Sequence, residues 1–181
     1  MSKSIIVTGG SRGIGAATAR LAAQKGFAVC VNYQSAADAA NAVVADIKAA
    51  GGKALAVQAD VSNADDISRL FETAVNELGP LGAVINNGGI TGPLARLDET
   101  SAEDIRRTID VNLTGTALCC AEAVRRLSTK YGGPGGSIVN VSSAAARIGG
   151  AHEWIDLPPA KVVLIHSPSA SPLKSAMKAF G

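Results

Sequence analysis

A chain of 181 residues that is 47% hydrophobic, with a mean hydropathy of +0.22, has enough length and apolar content for one domain around a sizeable core, which excludes a disordered segment. No run reaches the roughly 18 uncharged apolar residues of a membrane span, and the apolar run in "MSKSIIVTGG" is too short for a signal peptide, so the expected address is the cytoplasm, with no membrane partner. The formal charge of +2 is unevenly placed, with three lysines and no acid beyond Asp156; the chain before that point is slightly acidic and does not suit a nucleic-acid partner.

In chain order, short β-branched runs alternate with alanine-rich helical segments: "SIIVTG", "ATARLAAQKG", "AVCVNY", "AADAANAVVADIKAAGG", "KALAVQAD", "DDISRLFETAVNELG" and "GAVINN". Continuous Val and Ile strands separated by amphipathic helices predict an α/β fold with a parallel sheet covered on both faces. Gly26, Gly51 and Gly79 stand where left-handed C-terminal caps are wanted, and Ser62 or Asn63 can cap the helix that follows. A loop after Gly92, one long helical region from about Ser101 to Tyr131, the turn "GGPGG" and a fifth strand in "SIVNVSS" complete the pattern. No repeat or linker interrupts residues 1–156, which read as one domain. Cys30, Cys119 and Cys120 lack metal-ligand spacing and sit in apolar surroundings, as reduced core residues do.

The chemistry-bearing residues fall at strand ends. The first strand runs into "TGGSRGIG", whose glycines at 9, 13 and 15 suit a phosphate cradle. Gly9 permits the tight turn, Gly13 lets backbone approach a pyrophosphate, and Gly15 lets the helix pack against the sheet. The second strand ends "VNYQS", without the acid that grips an unphosphorylated adenosine ribose, while Arg12 stands inside the glycine turn to face a 2′-phosphate; this pairing predicts NADP rather than NAD. Asp60 closes the third strand where an adenine amine can be met. At the end of the fourth, Asn86 and Asn87 can bridge neighbouring strand ends, and Gly88 and Gly89 leave room for a ribose.

Together "TGGSRGIG", "DV", "NNGGI", "VNLTG" and "GGSIVNVSS" resemble the short-chain dehydrogenase/reductase family in order and spacing from Ser4 to about Asp156. Within it the chain is most similar to NADP-preferring reductases of the 3-oxoacyl-carrier-protein reductase and glucose 1-dehydrogenase kind. The resemblance implies a Rossmann-type, doubly wound parallel sheet, here its first five strands, and assembly into homodimers or homotetramers. It also implies hydride transfer between NADP(H) and a small carbonyl or alcohol substrate. The cofactor set it implies is Gly9, Ser11, Arg12, Gly13, Ile14, Gly15, Asn32, Asp60, Val61, Asn87, Gly88 and Gly89, with no metal. Asn112 matches the asparagine that helps hold a proton-relay water; its segment "DVNLTG" also reads as a helix break. Ser143 matches the serine that hydrogen-bonds the substrate oxygen; Ser142 is the alternative, which the family's spacing disfavours.

The family's remaining pair is Tyr-x-x-x-Lys, one helical turn apart, with the ammonium lowering the tyrosine pKa. Here Lys161 holds the lysine position and Leu157 the tyrosine position, and leucine has no proton to give. The sequence from Leu157 onward carries four of the seven prolines of the chain and reads as a non-family tail over 157–181. Loss of one base in a tyrosine codon accounts for so abrupt a change. With the degenerate third bases chosen to suit, the shifted frame can be read back as Tyr-Ala-Ala-Ser-Lys and onward, a family-like helix. The codon straddling Met177 and Lys178 is forced to be glutamate, and on that reading Lys161 would be lysine in both frames.

Overall fold

The computed structural model describes residues 2–93 and 95–143; Leu157, Lys161 and the tail lie outside the described residues. Five strands, β1 (Ser4–Val7), β2 (Ala28–Tyr33), β3 (Ala54–Gln58), β4 (Leu81–Asn86) and β5 (Ser137–Asn140), form one sheet in the order β3-β2-β1-β4-β5. Every pairing is parallel. The helices are α1 (Gly13–Gln24), α2 (Ala37–Ala49), α3 (Ala64–Leu78), α4 (Ala102–Ile109) and α5 (Gly115–Leu127).

The two-residue period of a strand sends Ile5, Val7, Val29 and Val31 to one face, where they bury Ala16 and Ala19 of α1 and Val43 and Ile47 of α2. Ile6, Cys30 and Val84 point the other way, onto Leu70 and Phe71 of α3 and Cys119 and Ala123 of α5. Both faces are covered, and the strands are therefore apolar throughout instead of alternating with polar residues.

The expected caps form with one difference, at Gly79. Gly26 and Gly51 have φ of +88° and +80° just after α1 and α2. Gly79 also needs a positive φ, but its φ of 100° and ψ of −172° are not those of a left-handed cap: the chain leaves α3 fully extended to reach β4 within two residues. Of the two candidate caps for α3, Asn63 acts, accepting from the Asp65 and Asp66 N–H groups at 2.9 and 3.1 Å, while Ser62 turns back to Asp60.

The helix expected over Ser101–Tyr131 is interrupted at the point that "DVNLTG" marks. Residues Asp110–Thr114 form a π turn between α4 and α5, and a separate 3-10 turn at Thr129–Tyr131 follows α5. Among the described residues β5 is an edge strand, with Ile138 and Val139 only partly buried.

Candidate nucleotide-binding site

Strand order reverses about β1, whose neighbours are β2 and β4. The crevice outside the carboxyl ends of such a sheet is where parallel α/β folds hold ligands, because diverging connections leave space and helix N-termini point into it. The connections to both sides of β1 meet there. Gly9, with φ +60°, turns the chain beside Gly88. A Cβ on Gly9 would stand 2.8 Å from the Gly88 Cα, and one on Gly15 would run into the Gly9 carbonyl and come within 2.5 Å of Asn87 Nδ2. Glycine at 9 and 15 is thus demanded by close approach of backbone. At Gly13 the φ is +54° and nothing lies within 4 Å of a Cβ, leaving an open ledge at the N-terminus of α1.

Asn87 latches the two sides of the crevice. Its Nδ2 donates to the carbonyls of Thr8 and Gly9 at 3.0 and 3.1 Å, and the Thr8 hydroxyl accepts from the Asn87 and Gly88 N–H groups at 3.0 and 2.9 Å. Asn32, 2% exposed, ties the same end of the sheet from below. Its Nδ2 donates to the carbonyls of Val57 and Ala59 at 3.3 and 3.0 Å, and its Oδ1 accepts from the Gly9 N–H at 3.3 Å. The amide of Asn32 is therefore spent inside the fold, positioning the glycine turn.

These residues enclose a cleft of about 300 Å³. Of the expected set, Gly9, Ser11, Arg12, Asn32, Asp60, Val61, Asn87, Gly88 and Gly89 line it. Gly13, Ile14 and Gly15 do not: Gly15 is buried beneath the turn, and Ile14 is 65% exposed on the first turn of α1. The exit of β2 contributes Tyr33, Gln34 and Ser35, which the sequence reading passed over. The signal was present in "VNYQS", read only for its missing acid.

Asp60 stands at the far wall. Burial opposes its ionisation, but the Ser62 hydroxyl and N–H, the Gln34 amide and the charge of Arg107 outweigh it and hold the carboxyl below its usual range. On the other side of β4, Asn86 Nδ2 donates to Asn140 Oδ1 at 2.8 Å and reaches Cys120 Sγ at 3.3 Å. Burial pushes the Cys30 and Cys119 thiols up to about 12 and raises that of Cys120, so the first two are inert core groups.

A family model described as short chain dehydrogenase matches residues 3–155. The chain belongs to the short chain dehydrogenase family. It is 48% identical over 151 residues to an uncharacterized oxidoreductase of Escherichia coli, covering 83% of this chain and 61% of that one. It is 44% identical over 144 residues to a 3-oxoacyl-[acyl-carrier-protein] reductase of Synechocystis, covering 80% and 57% respectively. A crystal structure of a short chain dehydrogenase from Burkholderia cenocepacia in complex with NADP superimposes with a TM-score of 0.82 at 35% identity, over 90% of this chain and 64% of that one. The chain thus spans about three-fifths of the length of the curated relatives it matches.

Of the residues carried over by resemblance to short chain dehydrogenases, Asn112 is fully buried in the π turn. Its Oδ1 accepts from the Ile90 N–H at 2.9 Å and its Nδ2 donates to the Ile90 carbonyl at 2.8 Å. A π turn places one more residue in the helical circuit and re-aims side chains locally, here toward the loop after β4. Ser143 lies just beyond β5 and is half-buried, with Ser142 exposed beside it. Among the described residues no helix is long and apolar enough to cross a membrane.

Proposed function

We propose that this chain binds NADP(H) in the cleft at the carboxyl ends of the sheet and that its ancestry is that of a reductase acting on a small ketone or secondary alcohol. The observation that carries the reading is the charge of the cleft's lining: exposed Arg12 lines it together with a β2 exit of Tyr33, Gln34 and Ser35 that has no carboxylate. An acid there would repel a 2′-phosphate, and a guanidinium attracts it bidentately. The open ledge at Gly13 and the close packing at Gly9 and Gly15 fit a pyrophosphate at the N-terminus of α1. The NADP complex of the Burkholderia neighbour supports the same choice.

When bound, the nucleotide supplies hydride chemistry at its nicotinamide. Arg12 and the glycine turn hold its phosphates, Asp60 receives the adenine, and Asn87 keeps the two walls together. Ser143 is assigned the substrate oxygen. Proton transfer to that oxygen has no donor at Leu157, and a missing general acid typically removes about 10² to 10⁴ in rate. As it stands the chain binds nucleotide with little or no turnover. Residues 157–181 are assigned to a shifted reading frame, and the family's homodimer or homotetramer and cytoplasmic address belong to the same proposal.

The test is fluorescence titration of the full chain with NADPH and NADH, with Arg12→Ala alongside. NADPH is expected to bind at least ten times more tightly than NADH, and Arg12→Ala to erase most of that difference. Equal or tighter NADH binding overturns the cofactor assignment. Carbonyl reduction at a rate ordinary for an intact enzyme overturns the loss of activity, and coding DNA whose shifted frame stops being family-like beyond Leu157 overturns the frameshift.

A further inference from the structure

The parallel register of β2 and β3 pairs Tyr33 with Gln58, so the chain leaves both strands side by side at the rim of the cleft. Gln34 and Asp60 are the residues that face each other across this gap. Gln34 Nε2 donates to Asp60 Oδ2 at 2.6 Å. The loop that carries Gln34 is itself pinned, since Gln58 Nε2 donates to the Gln34 carbonyl at 3.2 Å and the Ala59 N–H donates to the Tyr33 carbonyl at 2.9 Å.

The other oxygen of Asp60 is fully engaged: Oδ1 accepts from the Ser62 N–H at 2.9 Å and from the Ser62 hydroxyl at 2.6 Å. A carboxylate offers about four acceptor sites. Three are filled by these neutral donors, and the one that is left belongs to Oδ2, beside Gln34. The carboxylate is also fixed at its own backbone, where the Asp60 N–H donates to Asp66 Oδ2 at 2.8 Å.

We infer that Gln34 is a positioning residue for base selection: by holding Asp60 Oδ2 it aims a single acceptor site into the cleft, and that site selects a base that carries an exocyclic amine. Without the Gln34 amide the carboxylate keeps its Ser62 bonds but can rotate Oδ2 toward solvent, and the cleft loses its fixed acceptor. Selection follows because a base with a carbonyl at the same position would set oxygen against oxygen and leave two desolvated acceptors unpaired. This inference rests on the NADP(H) reading of the cleft.

The experiment compares NADPH with its deaminated analogue, in which hypoxanthine replaces adenine, on the full chain and on Gln34→Met, which keeps the side-chain length and removes the donor. Gln34 is exposed, so the substitution leaves the core untouched, and unfolding midpoints of the two proteins are measured alongside. The unsubstituted chain is expected to favour the amine-bearing nucleotide by about tenfold or more. Gln34→Met is expected to lower that preference at least fivefold with only a small fall in the midpoint, since the lost hydrogen bond is exposed. A preference that survives Gln34→Met, even with both nucleotides bound more weakly, makes the contact merely structural and overturns the inference while leaving NADP(H) binding standing. An unsubstituted chain that binds NADPH without base preference overturns it as well. Failure of the unsubstituted chain to bind NADPH at all overturns the cofactor reading itself. Gln34→Glu supplies a second variant: it sets a second carboxylate against Asp60 and is expected to lose the preference by turning Oδ2 away, whereas retention counts against the inference.

Discussion

Asn112 grips Ile90 by both of its backbone groups, accepting from the N–H at 2.9 Å and donating to the carbonyl at 2.8 Å. The contact spans 22 residues of sequence and joins the π turn to the loop that leaves β4. The Thr116 hydroxyl, donating to the Asn112 carbonyl at 2.9 Å, secures the turn from its other side. Asn112→Ala leaves both Ile90 groups without partners in a half-buried loop, at a cost of about 2–3 kcal/mol. Urea unfolding checks this, and Asn112→Asp is expected to cost as much, since it removes the donor and buries a charge.

The glycines of the turn between β1 and α1 separate close packing from backbone conformation. Gly15→Ala forces a methyl group onto the Gly9 carbonyl and the Asn87 amide, so it is expected to weaken NADPH binding more than tenfold and to lower stability by about 1–3 kcal/mol. Gly13→Ala meets no neighbour and pays only for its positive φ, about 1–2 kcal/mol. Paired titration and unfolding curves distinguish the two costs.

Acid sensitivity follows from Asp60. Burial works against its charged form, and the Ser62 and Gln34 hydrogen bonds with the Arg107 charge overcome that and lower its pKa below 3.8. A group whose folded pKa is depressed adds stability above its unfolded value and loses it as pH falls through the folded one. The stability difference between the chain and Asp60→Asn is therefore expected to be largest at neutral pH and to shrink as the pH drops below 3.8. Urea midpoints measured from pH 7 downward test this; a difference that grows on acidification contradicts the sign.

Alkylation reports on the core. With pKa values of about 12, Cys30 and Cys119 present only about 10⁻⁴ of their thiols as thiolate at pH 8, besides being buried. Iodoacetamide is expected to modify at most Cys120 in the native protein and all three cysteines in urea, as read by peptide mass spectrometry. Rapid native labelling of Cys119 would mean that α5 does not pack on β4 and α3.

Much of the fold and part of the candidate site are legible in the sequence, because both depend on local spacing. Apolar runs of strand length between alanine-rich helices demand a two-sided parallel sheet, and the glycines at 9 and 15 are required wherever a strand must turn tightly into a helix. Gln34 could not be read in this way: its role depends on the register that brings Tyr33 opposite Gln58, a pairing 25 residues apart. Asn32 belongs to the set that the resemblance implies for the cofactor and it lines the cleft, while packing turns its amide inward to Val57 and Ala59. The extended exit of Gly79 likewise follows from the distance α3 must cover to reach β4.

The sequence by itself determined the family, the order of its elements, the glycine turn and the absence of an acid at the end of β2, since each is a matter of residue type at a fixed spacing. Only the tertiary structure decided which polar groups are spent and which are left to act. Asn32, Asn87 and Asn112 satisfy backbone groups of neighbouring strands and loops, and Asp60 keeps one acceptor site beside Gln34. Hydrogen-bond partners are chosen by proximity in space, and a strand register that sets distant residues side by side is a property of the packed sheet.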